Sequence, residues 1–144
     1  MNKFKLTLII FLFIIFTNLS FAENNFYEEG KRKYIEKKYE ESKFLFQRSI
    51  VFSPKDSNSY LYLAKIYNFE KNDKEEEKNI NTVLLLEPKN EEAIYMLMKI
   101  ELKKSNYSKV RELVENFSKI CVNLCKKKNL VIESLENLEP KNES

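Results

Sequence analysis

Apolar positions recur at helical spacing in one short segment after another. Tyr60, Leu63, Ala64 and Tyr67 mark one helix face, and Asp56 or Ser57 stands where an N-cap would accept the first free amide. Asn72 followed by Glu75 resembles a capping box, and Ile80, Val83, Leu84 and Leu86 form the stripe of the helix it opens, which Pro88 stops. Asn90 can cap the next helix, through Ile94, Leu97 and Met98. Ser105 or Asn106 opens another, carrying Val110, Leu113, Val114, Phe117, Ile120, Cys121 and Leu124. Its stripe runs on to Leu124 and meets Lys126, Lys127 and Lys128, residues that suit a helix C-terminus, so it is expected to be longer than its siblings. Leu130, Ile132, Leu135 and Leu138 predict a short final helix near 130–138. No strand-like alternation bounded by glycine turns interrupts this pattern, which predicts six antiparallel helices and a seventh.

The first 22 residues differ from the rest. Lys3 and Lys5 precede an unbroken apolar run from Leu8 to Phe16, and Ser20 and Ala22 occupy the −3 and −1 positions of a small-x-small cleavage site. This is the pattern of a secretory signal peptide, with cleavage expected before Glu23 and export across an inner membrane, to the periplasm. The competing reading is a retained anchor, but Leu6 to Ala22 holds polar Thr17, Asn18 and Ser20 and falls short of the ~20 residues a spanning helix prefers. Membrane association would come only through such a retained leader.

Composition narrows the function. A chain of 144 residues is about one domain. It has one glycine, which argues against hairpins and phosphate-cradling loops. It has no histidine, the commonest general base and metal ligand. No nucleophile–base pair, metal cluster or phosphate loop is visible, so no enzyme, no catalytic residue, no metal and no cofactor is expected. The formal charge of +3 includes Lys3 and Lys5; without the leader it is +1, too little to draw in nucleic acid.

Pro54 and Pro88 lie 34 residues apart, in Ser53-Pro54-Lys55-Asp56 and Glu87-Pro88-Lys89-Asn90. The same step relates Leu63 to Leu97, Lys65 to Lys99 and Ile66 to Ile100, and two steps relate Tyr39 to Tyr107. Period and residue types resemble the tetratricopeptide repeat family. The second repeat, 57–90, matches best: Tyr60, Leu63, Ala64, Tyr67 and Pro88 stand at family positions, with Glu76 where the family prefers alanine. The first, 23–56, keeps Phe26, Gly30, Tyr39, Phe46 and Pro54 but has Glu29 in place of leucine. The third, 91–124, keeps Leu97, Tyr107, Val110, Val114 and Phe117 but has Val122 in place of proline. The resemblance implies an all-α fold, a right-handed superhelical α-solenoid of about three helix-turn-helix repeats. Residues 125–138 would extend the last repeat helix and add a capping helix, followed by a tail at 139–144.

The resemblance also implies a binding face. In this family the first helices of the repeats line a concave groove for extended or helical peptides. The corresponding positions are Asn24, Tyr27, Lys31 and Tyr34, then Asn58, Leu61, Lys65 and Asn68, then Glu92, Tyr95, Lys99 and Leu102. Lys31, Lys65 and Lys99 fall at 34-residue intervals beside Tyr27, Leu61 and Tyr95. Such a column could hold an acidic side chain or C-terminal carboxylate while the rings bury an apolar anchor. Lysine is abundant here, and a solvated helix face explains the column equally.

Cys121 and Cys125 are the only thiols. Their i, i+4 spacing gives a Cα separation of about 6 Å in a regular helix, within disulfide range but with poorly directed Cβ vectors. Two outcomes stand open: a bridge with the helix bent near Val122 and Asn123, or two free thiols. The expected function is an exported protein–protein interaction module that binds a peptide segment of a partner as an envelope assembly or scaffold factor. The alternatives are a thiol–disulfide accessory protein using the cysteine pair, and a membrane-tethered assembly factor.

Overall fold

The computed structural model describes residues 26–138; the leader, Asn24 and the tail 139–144 lie outside them. All regular structure among the described residues is helical: α1 over 26–35, α2 Tyr39–Phe52, α3 Ser57–Phe69, α4 Asp73–Leu86, α5 Glu91–Lys103, α6 Tyr107–Ile120 and α7 Lys127–Leu138. None of the described helices is long and apolar enough to cross a membrane.

The 34-residue period is written most faithfully in the turns. Lys37, Lys71 and Ser105 have φ of 60°, 58° and 58°, the left-handed conformation that ends a helix. Each turn closes with the same two bonds. The left-handed residue donates to a carbonyl three back (Lys37 to Tyr34, Lys71 to Asn68, Ser105 to Leu102), at 3.0, 3.1 and 3.0 Å. The next residue donates five back (Lys38 to Lys33, Asn72 to Tyr67, Asn106 to Glu101), all at 2.9 Å. Glycine is the usual occupant of this position, and here lysine and serine take it.

The proline turns repeat likewise. Asp56 N–H donates to Ser53 O and Asn90 N–H to Glu87 O, both at 3.0 Å. Asp56 Oδ1 accepts from the Asn58 N–H at 3.2 Å and Asp56 Oδ2 from the Ser59 hydroxyl at 2.5 Å, so Asp56 rather than Ser57 caps α3. Asn90 accepts from the Ala93 N–H at 3.0 Å and Asn72 from Glu75 at 3.2 Å, as their spacing predicts. Asn106 makes no such cap; its amide nitrogen donates to Glu101 at 2.7 Å instead.

The chain divides into two compact units, with the boundary inside α3 between Leu63 and Ala64. The first unit packs around aromatics. Phe46, with no exposed surface, stacks on Tyr62 at 4.8 Å, and Tyr27 and Tyr34 reach Tyr62 edge-on at 6.2 and 5.1 Å. Gly30 lies against this ring: a Cβ there would meet Phe46 at 2.9 Å. Its carbonyl accepts the buried Ser42 hydroxyl at 2.9 Å.

The second unit is aliphatic. Ile66, Ile80, Val83, Met98, Ile100 and Val110 are all but fully buried, joined by Phe117. α4 packs on α5, α5 on α6, and α7 against both α5 and α6, covering an apolar face that would otherwise meet water. Tyr107 ties the end of α7 down by donating to Leu138 O at 2.9 Å.

One expectation fails: α6 is not lengthened. It ends at Ile120 and has 14 residues, as α2 and α4 do. Cys121 turns extended (φ −66°, ψ 140°), and residues 121–126 form a non-helical turn closed by a Cys121–Cys125 disulfide. The apolar stripe misled because Cys121 and Leu124, both half-buried, find cover from a turn as well as from a helix.

Candidate functional site

The family-implied groove positions are scattered in character. In the first unit, Tyr27 and Tyr34 are half-buried in the aromatic cluster. Burial, followed by the nearby Tyr62, Asp56 and Glu28, pushes the Tyr27 hydroxyl up to about 12. Lys31 lies 5.4 Å from the Tyr27 ring centroid and pairs with Glu28 at 3.5 Å. Asn58 is exposed beside its capping partner Asp56. Leu61, expected to present its side chain in the groove, is instead buried, with 7% of its surface exposed.

In the second unit, Asn68 turns inward. Its amide nitrogen donates to both carboxylate oxygens of Glu76, at 2.9 and 3.0 Å. Glu76, at the family's alanine position, is only 1% exposed, and Asn68 makes that burial tolerable. Lys65 pairs with Glu92 of α5 at 2.8 Å. Lys103 and Lys104, near the end of α5, reach Asp73 and Glu77 of α4 at 2.7 and 2.5 Å.

The best-formed constellation in that unit centres on Tyr95, half-buried on α5. Lys99, exposed one turn further along, places its ammonium 5.9 Å from the ring centroid. Lys127, the first residue of α7, places a second ammonium 5.4 Å from it. Two ammonium groups over one half-buried ring gather positive charge beside apolar surface, which suits a side chain or terminus that carries a carboxylate. Lys127 was not among the residues implied by the sequence, because nothing in its spacing connects it with Tyr95.

Lys127 reaches the ring from the bridged turn. The Cα atoms of Cys121 and Cys125 are 5.3 Å apart. The intervening amides converge on one carboxylate: Val122 and Leu124 N–H each donate to Glu91 at 2.7 Å, and Asn123 at 3.1 Å. These amides, led by Leu124 and Val122, hold the Glu91 carboxyl below the ordinary carboxylate value. Glu91 is the first residue of α5, so one acid joins the start of the Tyr95 helix to the turn that leads to Lys127. Among the described residues, no group of three histidine, cysteine or acidic side chains could hold a metal ion.

Neither a family model nor a curated protein sequence matches the chain. Its backbone does match solved structures. The TPR2B domain of yeast Sti1, solved as a pHsp70 complex, superposes with a TM-score of 0.74 at 11% identity, covering 83% of this chain and 99% of that one. The second TPR domain of human RPAP3, in complex with the HSP70 peptide SGPTIEEVD, gives 0.68 at 15% identity, with 85% and 99% covered. The Yersinia enterocolitica type III secretion chaperone SycD, in complex with a peptide of the translocator YopD, gives 0.69 at 16% identity, with 80% and 90% covered. With its helix order, its turns at 34-residue intervals and these neighbours, the chain has the fold of a tetratricopeptide-repeat domain.

Proposed function

We propose that this chain is an exported protein-binding module that holds a peptide segment of a partner and acts by binding alone. The observation that carries the reading is Tyr95 with Lys99 and Lys127 beside its ring, in a fold whose solved neighbours include several bound to peptides. The partner segment is acidic or ends in a carboxylate, because the cations flanking the ring would pair with it while the ring covers an apolar side chain. The leader pattern supports release into the periplasm after cleavage before Glu23, and the disulfide fits an oxidising compartment. In that setting the module serves envelope assembly, as a scaffold for its client.

An array of peptides with acidic C-termini, each paired with its C-terminally amidated form, tests the reading on the mature chain. Saturable binding that prefers the free carboxylate is expected. Lys99→Glu and Tyr95→Ala should each weaken it about tenfold while helicity by circular dichroism persists. Binding indifferent to both substitutions would move the site elsewhere, and no preference for acidic termini would remove the charge argument.

A further inference from the structure

The two proline turns and the bridged turn occupy equivalent places in the repeat. Ser53, Glu87 and Cys121 follow one another at 34-residue steps, and each donates its N–H to the carbonyl four residues back, at 2.8, 2.7 and 2.9 Å. After the first two, a proline leads to a side-chain cap, Asp56 or Asn90, and the next helix starts at once. After the third, Val122 stands in place of proline and Leu124 in place of the cap, and neither can do the same work. A covalent bridge and the Glu91 carboxylate hold this turn instead, and α7 starts at Lys127.

We propose that the Cys121–Cys125 bridge is the positioning device of the Tyr95 site, and that Lys127 is a specificity-determining residue present there only while the bridge is closed. The inference rests on the reading of Tyr95 as a binding residue. The turn has no other internal staple. Its bonds run back to α6 (from Cys121 N–H), outward to Glu91 (from 122–124) or forward into α7, as from Lys127 N–H to Leu124 O at 2.8 Å. Opening the bridge removes the covalent hold on residues 121–125, so the three amides leave Glu91 and the Lys127 ammonium leaves the ring. The chemistry is thiol–disulfide exchange with an external dithiol. One thiolate attacks a bridge sulfur and expels the other cysteine as thiolate. The reductant's second thiol then displaces the bound cysteine, so the reductant departs as a disulfide and both cysteines take up protons. The acidic ligand is then held by Lys99 alone.

The test compares the mature chain oxidised, reduced with dithiothreitol, and as Cys121→Ser/Cys125→Ser, each with and without Lys127→Gln. Two readouts are independent. By NMR, reduction should speed hydrogen exchange at the Val122, Asn123 and Leu124 amides about tenfold and shift the Tyr95 ring resonances. Unmoved amides and ring on reduction would overturn the proposal. By fluorescence anisotropy with labelled SGPTIEEVD as probe, Lys127→Gln should cost the oxidised chain about two- to fivefold in affinity. Reduction or the double serine variant should cost wild type the same, and Lys127→Gln nothing further. An equal loss on reduction in Lys127→Gln would overturn the role given to Lys127. If the oxidised chain binds no acidic peptide, the reading of Tyr95 as a site falls, while the amide and ring measurements still decide what the bridge positions.

Discussion

In the first unit Tyr62 is touched by Tyr27, Tyr34 and Phe46 within 6.2 Å, and Phe26 stacks on Phe52 at 5.6 Å. In the second, Ile80, Val83, Met98 and Val110 fill the interior, and the polar residues that enter it come with partners, as Glu76 does with Asn68 and Glu101 with Asn106. The contrast lies in what each repeat buries at the same two positions. Gly30 and Ser42, Ala64 and Glu76, Met98 and Val110 are equivalent pairs at 34-residue steps, and all six residues are buried. The first pair leaves room for the Phe46 ring and bonds hydroxyl to carbonyl; the second hides a carboxylate under an asparagine; the third is wholly apolar. Three side-chain solutions thus fill equivalent buried positions of the repeat.

Breaking the aromatic side should have the largest effect. Phe46→Ala removes a fully buried ring that stacks on Tyr62, and is expected to cost about 3–5 kcal/mol in urea unfolding. A cost near 1 kcal/mol would mean that the cluster repacks and that the first unit is less dependent on its rings than its geometry indicates. Next comes the polar side. Asn68→Ala leaves the Glu76 carboxylate buried without its amide, for a loss of roughly 1–3 kcal/mol that Asn68→Ala/Glu76→Ala should partly restore.

A smaller gain is expected at the turns shared by both units. Lys37→Gly, Lys71→Gly and Ser105→Gly each relieve a left-handed side-chain-bearing residue and should each stabilise by about 0.5–1 kcal/mol in thermal melts. Stabilisation at one turn and not the others would show that the three are equal in shape only.

The smallest effects are at the extremes of pH, and they fall on opposite sides. Tyr27, raised to about 12, stays protonated in the folded chain after the unfolded chain has begun to ionise. Its contribution is therefore complete below the ordinary tyrosine value and lost as pH climbs through 10 toward 12. Glu91, held below its ordinary value, contributes above that value and loses its grip as pH falls through its folded one. Absorbance at 295 nm should report the first, and exchange at the Val122–Leu124 amides the second.

Much of this architecture was legible from the chain. The seven helices, the caps at Asn72 and Asn90 and the Pro54–Pro88 period follow from local preferences that the structure leaves intact. Three things were not legible, each for a physical reason. The end of α6 depends on a covalent bond between side chains, to which hydrophobic periodicity is blind. Asn68 sits at a groove position by register, but a buried carboxylate eight residues on claims its amide. Lys127 joins Tyr95 across 32 residues of chain, a contact with no local signal.

The bridged turn also has a consequence for growth of the array. A copy of residues 57–90 inserted at the Pro88 junction would meet a capped helix start on each side, so the molecule can lengthen there by tandem duplication. A copy of 91–124 would bring the bridged turn with it, and the helix after it begins two residues later in the repeat than α3 and α5 do. The two cysteines thus stand in, at the third turn, for the proline and side-chain cap that start a helix at the first two.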